Sequence, residues 1–524
     1  MSLPRLILAA AVLVGLAADA LLREGFAGVA FALWIVVVAI GALALAARAG
    51  VRPTREARGW LAVAVVAAGC MAWRASPELQ GLDFLATLFA LGVAAVVMGA
   101  PAAGLHAARL RDTVWAGGRV LRDVFVGVVP LALRELLASS TRTKASQRGW
   151  PAARAVLIVV ALVAVFGSLL RSADPVFASL LTLPDIDLGS LASHVLVTGF
   201  FAWVFAGWAR GAFVSASGAS TPPAGTPASL GMGDVSAALG TLVVLFALYV
   251  ATQVGVLFGG ERFLQQRTGL TAAAYARQGF FQMVVIAALV IPLLAGTRAL
   301  LRPDPAVIRR HTLLALPTVV LLLAMIASAA GRMRLYVRYY GLSTERYYTL
   351  AIMAWLAVVL VWLAITTLRG REGRFWGGAV VSGLATLAVL NLVVPDAVVA
   401  RVNLARAPHA PTPGAATLDV AHLATLSGDA VGPAIAAVLA AASPLVIDSA
   451  RASVDAQRCR AAQRLLGRWG PSSRAAMRAD APGGWRAWNA AERRALRLTA
   501  DASRELRAVQ HASCAAARTA MVTR

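Results

Sequence analysis

Arginine is the residue type whose spacing most suggests chemistry in this sequence. Arg262, Arg267, Arg277, Arg332, Arg334, Arg338 and Arg346 fall in two short stretches of an otherwise apolar chain. A guanidinium can hold phosphate or carboxylate through two parallel hydrogen bonds, so the cluster is a candidate anion-binding site. The plainer alternative is pairing with lipid phosphates, or with Glu261 and Glu345. Both stretches carry the same phrase: Gly269-Leu270-Thr271 followed by Tyr275, and Gly341-Leu342-Ser343 followed by Tyr347. Helix-start chemistry accounts for it. Thr271 and Ser343 are placed to be N-caps, each hydroxyl accepting from free amides of the first turn. Leu270 with Tyr275, and Leu342 with Tyr347, then form hydrophobic staples, and Gly269 and Gly341 permit the preceding turn.

Other reactive constellations are missing from the pattern. His106, His194, His311, His409, His422 and His511 show no ligand spacing, and no phosphate-cradling glycine loop follows a strand. Gly231-Met232-Gly233-Asp234 resembles the Gly-x-Gly-Asp phrase of intramembrane aspartyl proteases. That chemistry needs a second deep carboxylate, and none is at hand, so Asp234 reads as a helix N-cap. Asp19 lies near a helix end, while Gln253, Gln282 and Asn391 are suited to joining helices. Asp174-Pro175, with Asp185 and Asp187 nearby, reads as a turn rather than a metal site. No cofactor, no metal site and no enzyme activity is expected.

The elements that must position these residues are membrane helices. The 524-residue chain is 59% hydrophobic and 14% charged, against about 25% charged in soluble domains. Apolar runs of about 18 or more residues recur, long enough for helices crossing a hydrocarbon core of about 30 Å. They predict eleven spans: Leu6–Leu22, Phe26–Ala47, Trp60–Trp73, Leu82–Ala100, Ala155–Leu170, Leu191–Ala209, Val235–Phe258, Gly279–Gly296, Thr312–Ala330, Tyr348–Leu368 and Phe375–Val394. The first resembles a signal peptide, but lacks a clean cleavage site and is read as a retained helix. Thr113–Leu137 is amphipathic with Arg119, Arg122 and Asp123 near its centre, which favours a helix lying in the membrane interface.

The net charge of +24 is carried mostly by arginines between apolar runs. That pattern indicates orientation by basic cytoplasmic loops and attraction to anionic lipid, not nucleic acid. It puts the N-terminus inside and, after eleven spans, the C-terminus outside. Residues 1–394 form the transmembrane domain, with a small-residue and proline linker over 211–231 and a two-helix internal repeat pairing 235–296 with 307–368 in the same orientation. Residues 395–524 read as a small all-α domain, extracytoplasmic on this topology. The fold class is all-α: a polytopic helical membrane protein with a C-terminal helical domain. Cys70 lies in a predicted span. Cys459 and Cys514, both in the C-terminal domain, are either a disulfide, two unpaired thiols or intermolecular partners.

Several phrases carry a family resemblance: RSADPVF at Arg171–Phe177, GLTAAAYARQGFF at Gly269–Phe281, RMRLYVRYYGLS at Arg332–Ser343, NLARA at Asn403–Ala407, LDVAHLATLSGDAV at Leu418–Val431 and WRAWN at Trp485–Asn489. Together they resemble a bacterial integral membrane family, domain-of-unknown-function family 4173, with family 4153 its nearest alternative. The resemblance implies a bacterial inner-membrane protein of the cell envelope and supplies no reaction. The leading expectation is a non-catalytic role, with the outer domain binding an envelope protein or anionic lipid, or supporting assembly. The alternatives are a permease or flippase for an anionic solute or lipid, and a lipid-phosphate transferase.

Overall fold

In the computed structural model, residues 2–23, 25–26, 28–99, 110–132, 159, 188–214, 231–268, 280–301, 304–406, 418–440 and 448–522 are described. No strand occurs among them. Six helices make the first membrane bundle: α1 (Leu3–Leu22), α2 (Val29–Arg48), α3 (Arg55–Trp73), α4 (Pro77–Gly99), α5 (Leu110–Val126) and α6 (Leu188–Phe213). Five make the second: α7 (Met232–Thr268), α8 (Phe280–Leu300), α9 (Pro305–Tyr340), α10 (Thr344–Thr366) and α11 (Phe375–Val393). The C-terminal domain follows with α12 (Pro395–Arg406), α13 (Val420–Leu423), α14 (Val431–Ala440), α15 (Asp448–Trp469), α16 (Arg474–Asp480), α17 (Ala490–Asp501) and α18 (Ser503–Val522). Each of the three groups has its own apolar core. On the membrane helices large apolar residues such as Leu13, Leu196, Val244 and Leu289 also face outward, as lipid-exposed surfaces require.

Among the described residues, nine helices are long and apolar enough to cross a membrane. Of the eleven expected spans, Ala155–Leu170 lies outside the described residues apart from Val159. Trp60–Trp73 lies within α3, which falls short on composition because Arg55, Glu56 and Arg58 occupy its first turns. Geometry nevertheless gives α3 a full traverse. The start of α2 and the end of α3 both meet the C-terminal domain, through Val29 and Arg74. α2 is 20 residues long, about 30 Å at 1.5 Å per residue, so α3 must return over the same distance.

The stretches expected to be arginine-bearing loops are helical instead. Arg262 and Arg267 lie in α7, and Arg332, Arg334 and Arg338 lie in α9. The helices run 37 and 36 residues, continuing beyond Phe258 through Gly259 and Gly260 and beyond Ala330 through Gly331. In α9 Met333, Tyr336 and Val337 keep an apolar face toward the neighbours, while Arg334 and Arg338 point to the exposed side. Asp234 is likewise not an N-cap: α7 begins at Met232 and places it in the first turn, where a carboxylate still favours the helix dipole.

α7 and α9 are joined by Ser328 Oγ to Gln253 Oε1 at 3.2 Å and by Arg332 Nη2 to Tyr249 Oη at 3.2 Å.

α5 shows how a charged helix can be seated among spans. Asp123 is buried and pairs with Arg210 of α6 at 2.7 Å, while Leu121 and Phe125 face outward. Gly207 lets the backbones touch: a Cβ there would meet Asp123 O at 2.5 Å and Val124 O at 2.6 Å. Gly207→Ala is therefore expected to destabilise by about 1–3 kcal/mol, read as a lower melting temperature in detergent. Gly199→Ala on the same helix has open space and should leave melting unchanged.

Candidate functional site

The strongest concentration of buried polar chemistry lies where the C-terminal domain meets the membrane helices. It is built from four joints. At the first, the α3–α4 turn supplies Arg74, Ala75 and Ser76. The Ala75 N–H donates to Asp429 Oδ2 at 2.8 Å, and Arg74 Nη1 lies 3.5 Å from Asp429 Oδ1. Arg74 Nε also donates to the Asn391 carbonyl at 2.7 Å, at the end of α11. Asp429 sits in a 3-10 turn over Gly428–Ala430 that leads into α14.

The second joint is Asn489. Its Nδ2 donates to the Met71 and Arg74 carbonyls at 3.0 and 2.8 Å, and its Oδ1 accepts from Glu492 N–H at 3.0 Å to cap α17. One side chain thus closes the end of a membrane helix and the start of a domain helix, where backbone groups would otherwise be orphaned. Next to it the Trp488 carbonyl accepts from Val29 N–H at 3.0 Å, fixing the start of α2.

The third joint is Asn403 of α12. Its amide pairs with Leu342 in both directions, accepting from the N–H and donating to the carbonyl, each at 2.7 Å. Gly341 makes this approach possible: its φ is 80°, and a Cβ would meet Asn403 Oδ1 at 2.5 Å. Ser343 caps α10 by accepting from Arg346 N–H at 3.4 Å. Leu342 joins the apolar core of the domain, and Tyr347 packs against it.

The fourth joint is Asp396, buried at the start of α12. It accepts from Ser427 N–H at 3.2 Å and lies 3.5 Å from Thr344 Oγ1. Val394, just before it, holds φ 61° and ψ 76°, a left-handed conformation that costs a β-branched residue about 1–3 kcal/mol. That turn ends α11 and aims Asp396 into the joint. Burial pushes the Asp396 carboxyl above its ordinary value, assisted by Glu78 and Asp429 and opposed by the Ser427 bonds. A raised acid favours the fold when protonated. Its contribution is full below the unfolded value and fades as pH rises through the folded one. Melting should fall as pH rises above the ordinary carboxylate range in the native chain, and less so in Asp396→Asn, which keeps an acceptor for Ser427.

Asp396 and Asp429 carry no mark in the sequence, and neither does a further buried carboxylate in the membrane helices. Asp83 of α4 lies 3.0 Å from Asn391 Nδ2, and both residues are buried. Asp83 Oδ2 and Asn391 Oδ1 have no partner among the described protein atoms. Its only signal was position, the second residue of an expected span, where an aspartate looks like a boundary residue.

Of the candidate arginines, four have described side chains: Arg332, Arg334, Arg338 and Arg346. Arg332 bonds Tyr249, and Arg346 donates to the Gly341 carbonyl at 2.5 Å and stacks over Tyr336 at 4.3 Å. Arg334 and Arg338 are exposed on α9. Arg262 and Arg267 are helical, and Arg277 lies outside the described residues with Gly269, Leu270, Thr271 and Tyr275. Asp174, Asp185 and Asp187 also lie outside them. Among the described residues no group of three or more His, Cys, Asp or Glu side chains could hold a metal ion. Cys459 and Cys514 form a disulfide between α15 and α18, with Cα atoms 5.0 Å apart, and Cys70 is a free thiol.

A recess of about 360 Å³ opens among the joints. Arg74, Arg401 and Arg494 line it, with Asp429, the first turns of α14 and α17, and the ends of α3 and α11.

A family model described as Domain of unknown function (DUF4153) matches residues 61–437, from within α3 to within α14. Of the two families that the sequence phrases resemble, this is family 4153. No curated protein and no solved structure matches the chain.

Proposed function

Because the chain belongs to the family described as Domain of unknown function (DUF4153), which brings no reaction with it, we propose from geometry that it is a non-catalytic membrane protein whose C-terminal domain is a fixed platform for partner binding or envelope assembly. One observation carries the reading. Four separate membrane segments, at Val29, Arg74–Ala75, Leu342–Thr344 and Asn391–Val394, are bonded to or run into a single helical domain. A domain held this way keeps one orientation relative to the membrane, as a platform must, rather than swinging on a linker.

All four segments lie at one end of the bundle, so the domain occupies one side of a bacterial inner membrane. The disulfide favours the outer side, since such bonds persist in oxidising compartments. The short helix α16 has no buried residues and exposes Met477, which offers the platform a free surface.

A photo-crosslinking residue at position 477, used in intact cells, tests both parts. A discrete protein adduct that weakens in Asp429→Ala supports a docked platform. A cysteine at 477 should react with an impermeant maleimide from outside. Labelling only after permeabilisation, no adduct at all, or anion transport by the reconstituted protein would overturn the reading.

A further inference from the structure

We propose that the recess between the membrane end of the bundle and the C-terminal domain is a binding site for a phosphate group. The charge balance comes first. Arg74, Arg401 and Arg494 line it against one carboxylate, Asp429. That carboxylate is already committed to Arg74 and to the Ala75 N–H. Arg401 and Arg494 are exposed and make no ion pair or hydrogen bond with the described residues. Two unpaired guanidinium groups therefore share a concave site, and each can present a fork of donors to phosphate oxygens.

The backbone adds to the same sign. Gly432 and Pro433 belong to the first turn of α14, and Ala490 and Ala491 to that of α17. Helix N-termini carry partial positive charge and favour anions. The size is ample for a glycerophosphate-like group, at about 360 Å³.

The other wall is apolar. Leu392 and Val393 end the span α11, Trp73 ends α3, and all three are substantially exposed. Exposed tryptophans belong at the headgroup level of a bilayer. The recess thus joins a cationic end to an apolar end where spans leave the membrane, the layout that a phospholipid headgroup and its acyl chains would fill. A free phosphate would use only the cationic end. The site does not depend on whether the platform binds a partner.

Native mass spectrometry of the full-length protein in detergent tests it, with phosphatidylglycerol, phosphatidylcholine and inorganic phosphate titrated separately. Phosphatidylglycerol should bind well above phosphatidylcholine, whose choline meets the arginines unfavourably. The double variant Arg401→Gln/Arg494→Gln should lose about twenty-five-fold in that affinity, at roughly fivefold per surface arginine. Phosphatidylcholine binding and the melting temperature should be unchanged, since neither arginine bonds to the fold. Binding of inorganic phosphate that is lost in the variant supports the site with a free anion as its source. Equal binding of the two lipids without phosphate binding, or a double variant that binds as the native chain does, overturns the proposal.

Discussion

Asp429→Ala is expected to cost about 3–5 kcal/mol, the loss seen when one partner of a buried charged pair is removed. Asp429 is 4% exposed in its side chain and Arg74 is 12% exposed. Taking the carboxylate away leaves the Ala75 N–H without its acceptor and the largely buried Arg74 with the Asn391 carbonyl and the Trp73 ring but no counter-charge. The loss should fall on the joint. Hydrogen exchange at the Ala75 and Ser427 amides should quicken, while amides inside α1 and α6 keep their protection. Asp429→Asn should cost less, because it retains an acceptor for Ala75. If the alanine variant exchanged as slowly as the native protein at Ala75, this bond would not be holding the domain.

Breaking the disulfide is the second large effect. It closes a loop of 55 residues, which in the chain-entropy model stabilises the fold by about 4 kcal/mol. The domain it serves is rich in alanine: Ala434, Ala437, Ala461, Ala462 and Ala495 are among its core residues. Small side chains bury little area each, so a cross-link supplies a large share of the domain's stability. Cys514→Ser should lower the midpoint of C-terminal domain unfolding and remove the mobility shift that reduction produces in the native chain. The membrane bundles, which the bridge does not cross-link, should melt as before. An unchanged domain midpoint in the variant would show that packing of α15 on α18 suffices without the bridge.

Composition and apolar run length by themselves determined the fold class, because a hydrocarbon core leaves few structures that satisfy the backbone. Local chemistry was legible too: Ser343 caps α10, and Gly341 takes the positive φ that a turn between two helices requires. What the sequence could not show was which polar residues meet. The charges of Arg332 and Arg346 were visible, while Tyr249, Tyr336 and the Gly341 carbonyl that engage them were not. The loop expected at Gly331–Tyr340 is helix because packing on the second bundle continues past the last purely apolar residue. Asp83, Asp123 and Asp396 are tolerated inside the fold because Asn391, Arg210 and the Ser427 N–H reach them from distant parts of the chain. Hydropathy is a sum over neighbours in sequence, whereas the cost of a buried charge is set by its neighbours in space. The joints to the C-terminal domain, and the recess they enclose, are therefore decided by tertiary structure alone.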